Sequence, residues 1–251
     1  MAILQNVLPH APWADPALAR MPGMRPVEES WIVVDEAYAP QMAERARLLR
    51  EGPGDVLQAR PGSEAAQAEA LDAVVAALPD GFARDGDRVT RPDGVTVTLA
   101  DPLPTIGALI QEDALLLERR GAEHVLVAGL LCFPASWTLS EKIGRPLGRI
   151  HAPVAAYDAD LAARVQRLFD RAPPGRPMWR MNALGYADPA LHQPRTEAAP
   201  KVEPAAPRYL RCERQTVLKL PRTGAILFAV HTWVLPLDRL TPEQRAGCPI
   251  G

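Results

Sequence analysis

The side chains best able to bind a metal are five histidines and three cysteines scattered along the 251 residues. The cysteines, Cys132, Cys212 and Cys248, are too far apart for a CxxC zinc site and too few for an all-cysteine iron–sulfur cluster within this chain. Their odd, sparse number argues against a disulfide framework and favours a reducing compartment. Imidazole is therefore the leading ligand type. The candidates are His10, His124, His151, His192 and His231.

The densest group of chemically capable residues is the segment 132–154, which reads CFPASWTLSEKIGRPLGRIHAPV. Within it, Pro153 restricts the backbone beside His151, which helps to hold an imidazole in one position. Glu141 and Lys142 could accept a substrate ammonium group or relay protons. A surface ion pair, which contributes little, is an equally favoured interpretation of these two residues.

Common catalytic signatures are missing from the sequence. It contains no GxGxxG after a strand, no GxxxxGK[ST], no HExxH, no GxSxG and no CxxCH. A chain without nucleotide-binding loops or cluster cysteines has no obvious means of drawing electrons from a nicotinamide cofactor. If it carries out redox chemistry, we expect a separate protein to supply the electrons.

Hydrophobic periodicity and turn residues predict the elements that position these groups. The predicted helices are 40–51, 63–78, 105–118 and 158–171, with a turn and short helix over 137–148. The predicted strands are 88–91, 95–99, 124–133, 209–220 and 225–235. Residues 1–30 are expected to form an irregular arm and residues 173–207 a long loop. Hairpins with interposed helices indicate a single α+β domain with an antiparallel sheet and flanking helices.

Two charged or titratable residues fall on mostly apolar strand faces. Arg214 shares its predicted face with Cys212 and Leu218, so it needs an anionic partner to offset the cost of burial. His231 shares a face with Trp233 and could line a pocket. A histidine whose hydrogen bonds are satisfied within the sheet is the favoured alternative.

Charge and hydropathy exclude several functional classes. The 28 basic and 30 acidic residues give a net charge of −2 and form no basic arm or stripe, which argues against nucleic-acid binding. The longest apolar run, 125–133, is far shorter than the roughly 20 residues of a membrane helix. No secretory signal is evident, so we expect a cytoplasmic protein.

The segment 133–154 fits the pattern FPxSWxLxEKxGxxLxxIHxPV, which resembles the signature of the haem-dependent oxidative N-demethylase alpha-subunit-like family. Other blocks of the resemblance follow in the same order. They are 21–27 with Trp31 and 35–38, then 111–118, 179–182, and 213–216 with 220–228. The resemblance spans roughly residues 20–237. The sequence departs from the family pattern at Ala183, His192 and His231.

The resemblance implies a PAS-like fold that holds haem b noncovalently. It implies O₂-dependent removal of a methyl group from a small secondary amine, with release of formaldehyde. It also implies that separate polypeptides carrying flavin and an iron–sulfur cluster deliver the electrons, so we expect no flavin, nicotinamide or iron–sulfur site in this chain.

We assign His151 as the haem ligand because it lies within the family block, with Cys132 as a thiolate alternative. Arg214 is a candidate for binding a haem propionate, with an internal carboxylate of the protein as a nearly equal alternative partner, and Arg149 and Arg145 are weaker propionate candidates. Trp137 and His231 could line the pocket. Glu141 and Lys142 are the catalytic candidates.

Two other functions remain open. One is a PAS-like sensor of haem or a small molecule without turnover, because fold does not fix function. The other is a divergent binding subunit that has lost haem.

Overall fold

The computed structural model describes residues 2–18, 21–154, 157–200 and 206–250. Its helices and strands run as follows. The helices are α1 (Tyr38–Glu51), α2 (Pro53–Val56), α3 (Glu64–Ala76), α4 (Pro102–Leu109), α5 (Leu139–Lys142), α6 (Leu147–Ile150), α7 (Ala159–Arg171) and α8 (Pro242–Ala246). The strands are β1 (Arg25–Pro26), β2 (Leu57–Ala59), β3 (Ala83–Asp85), β4 (Arg88–Thr90), β5 (Thr96–Thr98), β6 (Asp113–Arg120), β7 (Glu123–Leu130), β8 (Met178–Tyr186), β9 (Tyr209–Lys219) and β10 (Ile226–Pro236).

A seven-stranded antiparallel sheet forms the centre, in the order β1-β8-β9-β10-β6-β7-β2, and β3-β4-β5 form a small second sheet. The predicted α+β class with an antiparallel sheet and flanking helices is confirmed. The long strands β9 and β10 pair along their full length and make the central hairpin. No helix of the described ranges has the length and apolar character needed to span a bilayer.

Cross-strand pairing assigns the side chains of this hairpin to two faces. His231 lies opposite Arg214, and Trp233 lies opposite Cys212, so these four share one face. That face packs against α3, α4 and the N-terminal segment through three groups of buried apolar residues. They are Ala66, Ala70 and Val74 of α3, Leu103, Ile106 and Leu109 of α4, and Leu8 and Leu18 of the N-terminal segment. We call it the α3/α4 face.

The opposite face carries Val217 and Phe228, which also pair across β9 and β10. It packs against the second helical layer through Leu139 of α5, Leu147 of α6 and Phe169 of α7. We call it the α6/α7 face. Because the segment 139–151 belongs to this layer, the sheet separates it from Arg214 and His231.

Two sequence predictions are wrong. The expected helix 105–118 is the short helix α4 followed by strand β6. The apolar run Leu115–Leu117 is buried on both faces of a central strand and shows no alternation, so its period does not distinguish strand from helix. The expected loop 173–207 contains β8, which pairs with both β9 and β1. The segment was predicted to be a loop because prolines lie on either side of β8.

The N-terminal segment completes the edge of β10. Strand β6 pairs with β10 only over residues 226–230. Beyond that point, the backbone N of Gln5 donates to Val234 O at 2.9 Å, and Val234 N donates to Gln5 Oε1 at 2.8 Å. Gln5 Nε2 donates to Thr232 O at 3.3 Å. One residue therefore satisfies backbone groups that β6 leaves unpaired.

Candidate functional site

His151 lies at the carboxyl end of α6 and is half-buried. Its Nδ1 is 3.0 Å from Leu147 O, so the tautomer that donates from Nδ1 fits this contact. Burial lowers the pKa of His151, with the nearby Lys142 cation acting in the same direction, so the ring is neutral at pH 7. Tyr157 stacks on the ring at a centroid distance of 4.2 Å. Among the described residues, no group hydrogen-bonds to Nε2, whose lone pair can bind a metal.

Apolar side chains surround the sheet surface on this side. Beside His151, Ile150 and Trp137 pack against the same buried cluster as Met178 of β8 and Phe228 of β10. All four are only half-buried. The α6/α7 face thus offers apolar surface next to an imidazole with an available nitrogen.

A polar strip crosses the middle of the same face, on β8 and β9. Arg180 Nη1 donates to Gln215 Oε1 at 2.8 Å, and its Nε is buried without a hydrogen-bond partner in the described part of the chain. Burial lowers the pKa of Arg180. No carboxylate within the described residues lies within ion-pairing distance of it, whereas Glu213 is occupied by Asn182 and Arg211. Arg180 is therefore a partly buried cation that lacks an anion.

Glu141 and Lys142 form a clamp between α5 and the segment that contains Glu197. Lys142 is buried, and its Nζ donates to Ile150 O at 2.6 Å and to Glu197 Oε1 at 2.7 Å. Glu141 accepts from the backbone N of Glu197 at 3.0 Å. Arg149 binds Glu197 Oε2 at 2.7 Å, and this contact, together with Lys142, lowers the pKa of Glu197 to about 2. The clamp holds the backbone carbonyl that immediately precedes His151.

His231 lies on the α3/α4 face between two carboxylates. Its Nε2 is 3.2 Å from Asp35 Oδ2, and its Nδ1 is 3.3 Å from Glu112 Oε1. Burial alone would lower the pKa of His231, but the two carboxylates outweigh it and raise the pKa to about 9. The ring is therefore cationic at neutral pH. Nε2 hydrogen-bonds to Asp35, whereas Nδ1 is near Glu112 without a hydrogen bond to any described residue, so its hydrogen bonds are only partly satisfied.

Arg214 is next to His231 on the same face. Its guanidinium lies over the Trp179 ring, 5.0 Å from the centroid. Burial lowers the pKa of Arg214, and Glu112 opposes that shift. Its Nε is buried without a hydrogen-bond partner in the ranges that the structure describes.

The remaining candidate ligands lie elsewhere. Cys132 is fully buried, and burial raises the pKa of its thiol to about 12, which disfavours the thiolate. His192 Nδ1 is 2.8 Å from Cys132 O, outside the α6/α7 cluster. His124 is 2% exposed, and its Nδ1 lies 2.8 Å from Gln166 Nε2. It is covered because α7 packs over the start of β7.

The structure divides the sequence-predicted site residues into two groups. Those on the α6/α7 side are Trp137, Glu141, Lys142, Arg149 and His151. Arg214 and His231 are on the other side of an intact sheet. One ligand cannot contact both groups. Arg180, which sequence reasoning passed over although it lies in the block 179–182, is a half-buried cation on the His151 side without a carboxylate partner among the described residues, whereas Lys142 there is paired with Glu197.

A comparison with protein families matches most of the chain. Residues 23–248 match the family model described as "Haem-dependent oxidative N-demethylase, alpha subunit-like". The match covers both faces of the sheet and every candidate residue named above except His10.

Proposed function

We propose, since this chain belongs to the haem-dependent oxidative N-demethylase alpha-subunit-like family, that it binds haem b noncovalently on the α6/α7 face of a PAS-like core. We further propose that it removes a methyl group from a small secondary amine in a monooxygenase-type reaction. The conversion consumes O₂, two electrons and two protons and yields the demethylated amine, formaldehyde and water. A separate flavin and iron–sulfur reductase would supply the electrons, in keeping with the alpha-subunit description of the family.

The observation that carries the proposal is the geometry of His151. A haem-ligating histidine is neutral, presents one nitrogen to iron and donates its other N–H to a backbone carbonyl. The Nδ1 contact to Leu147 O and the lowered pKa of His151 meet these requirements and leave Nε2 for the metal. When bound, the haem supplies the O₂ activation that no protein side chain provides.

Arg180 supports the same location, and we assign it to a haem propionate in place of Arg214. An unpaired, partly buried guanidinium is costly unless an anion joins it, and a propionate is such an anion. Arg149 is more exposed and already binds Glu197, so it would have to release that carboxylate before it could bind a propionate. The half-buried side chains of Trp137, Met178 and Phe228 would cover the apolar body of the ligand and exclude water.

Glu141 and Lys142 are positioning residues in this proposal. Lys142 fixes Ile150 O, and Glu141 fixes the backbone of Glu197. Both groups are committed to the clamp, which keeps His151 in place and leaves neither free to exchange protons with a substrate.

Hemin titration of the purified chain tests the ligand assignment. We expect a Soret band that the His151→Ala variant loses or shifts strongly. His192→Ala is a matched control, because His192 also holds a backbone carbonyl through Nδ1 but lies outside the cluster. A chain that takes up no hemin, or a His151→Ala spectrum identical to that of the parent, would overturn the proposal.

Formaldehyde release tests turnover separately. The haem-loaded protein is mixed with dimethylamine, O₂, NADH and a flavin/iron–sulfur reductase, and formaldehyde is measured per haem. Amine-dependent formaldehyde supports the demethylase. Stable haem without any release would instead indicate a haem protein that senses or binds.

A further inference from the structure

An open depression lies along α7. It has a volume of about 360 Å³, and its lining residues include Arg164, Arg167 and Arg171. Its apolar floor includes Pro22, Leu168 and Met178. The volume is near the lower limit of ligand-binding cavities, so it suits a molecule of roughly six to ten non-hydrogen atoms.

The three arginines lie on one side of α7 because they are three and four residues apart. Arg164 donates to Met21 O at 2.8 Å and pairs with Asp160 at 2.9 Å, but its Nε is buried and has no hydrogen-bond partner among the described residues. In the same described ranges, Arg167 and Arg171 make no ion pair. Positive charge is thus concentrated around an apolar floor in a chain whose net charge is −2.

We infer that this cavity is a binding site for a small organic anion with a short apolar body. A carboxylate or phosphate would accept hydrogen bonds from the guanidinium groups, which match both head groups in a planar, bidentate manner. The alkyl or aryl body would cover Leu168 and Met178. Both side chains also pack against the buried cluster of the α6/α7 face. Of the lining residues, only Met178 also belongs to the proposed haem site, and the inference does not require haem to bind there.

Calorimetric titration of the purified chain tests the site, with hexanoate and hexyl phosphate as probes. We expect a dissociation constant on the order of 1 mM for at least one of them, consistent with a small ligand in an open cavity. Comparing the dissociation constants of hexanoate and hexyl phosphate shows whether the site prefers a carboxylate or a phosphate head group. Hexan-1-ol and hexylamine, which have the same body without the anion, should bind at least about tenfold more weakly because they gain no charge-assisted hydrogen bonds.

Arginine variants locate the binding. Arg167→Glu/Arg171→Glu should weaken the tighter probe at least about tenfold, and Arg167→Gln/Arg171→Gln at least about threefold. Both arginines are exposed, so the fold is expected to survive, and circular dichroism verifies it. Arg84→Glu/Arg88→Glu, an equal change of charge on the exposed β3 and β4, is the matched control.

Two results would sink the inference. One is that neither anion binds more tightly than hexan-1-ol. The other is that the control pair weakens binding as much as the α7 pair, which would mean that general charge attraction is responsible.

Discussion

His231 and His151 lie on opposite sides of one sheet, and their neighbours give them different charges. Two carboxylates hold the ring of His231 and raise its pKa to about 9. A backbone carbonyl holds one nitrogen of His151, and burial lowers its pKa. The comparison shows that burial alone does not decide the charge of a histidine. The nature of the hydrogen-bond acceptor decides between a structural cation and an available ligand.

The largest expected effect is on stability, at the α3/α4 face. His231→Ala leaves Asp35 and Glu112 buried without their counter-ion, so we expect the free energy of unfolding to fall by about 3–5 kcal/mol. His151→Ala in the haem-free protein removes one hydrogen bond and a ring stack, at a cost of about 1 kcal/mol. Urea denaturation measures both. Equal losses would mean that the two rings do not differ in role.

The free energy of unfolding should depend on pH because His231 is protonated in the folded protein. The folded-state pKa of His231 is about 9, above the ordinary value of 6.5. Its contribution is therefore complete below about pH 6.5 and is lost as the pH rises through 9, to an extent on the order of 3 kcal/mol. Denaturation at pH 6, 7.5 and 9 measures this loss. His231→Gln should remove most of the alkaline slope, and an unchanged slope would exclude His231 as its source.

Haem affinity should fall towards acid pH, whereas the stability from His231 is lost towards alkaline pH. The pKa of His151 lies below 6.5 in the folded protein, so the neutral ligand persists at pH 7 and is protonated as the pH falls through that lowered pKa. Below it, hemin affinity should drop by about tenfold per pH unit. Hemin titrations between pH 7.5 and 5 test this drop, and His192→Ala should follow the same curve. A profile without pH dependence would argue against imidazole ligation.

The smallest effect is expected from the clamp. Glu197→Gln keeps the side-chain shape but removes the charge that Lys142 and Arg149 share. We expect hemin to bind about three- to fivefold more weakly, with less than about 1 kcal/mol of lost stability, because the carboxylate is partly solvated. Asp72→Asn, which breaks an exposed ion pair with Arg222, is the matched control and should change neither quantity. A stability loss without any change in hemin affinity would make the clamp purely structural.

Elements with a clear period were predictable from the sequence. Helix α7 has an apolar face and a charged face, which its sequence period reveals, and Asp158 caps it by accepting from Leu161 N at 2.8 Å. Strands β9 and β10 alternate well enough for Arg214 and His231 each to be placed on a mostly apolar strand face, and the observed register then brings the two faces together. Strand β6 was not predictable, because burial on both faces removes the alternation that reveals a strand.

The candidate site was predictable only in part. The segment around His151 stood out by residue type and by family resemblance. Which sheet face it meets depends on how α6 docks, and no local pattern encodes that long-range packing. Arg214 was singled out because it lies on a predicted apolar strand face, whereas Arg180 was passed over because the segment that became β8 was predicted to be a loop. The carboxylates that fix His231 come from Asp35 and Glu112, far away in sequence.

Gln5 covers an edge of the central sheet that could otherwise pair with a second copy of the chain. Its main-chain and side-chain amides occupy the outer edge of β10 next to Val234 and Thr232, where an unprotected strand would be a template for pairing with another chain. Gln41 Nε2 also donates to Thr232 O, at 3.1 Å, so two glutamines cover this edge. Release of the N-terminal segment would expose Val234 to pairing with another strand while the core stays folded.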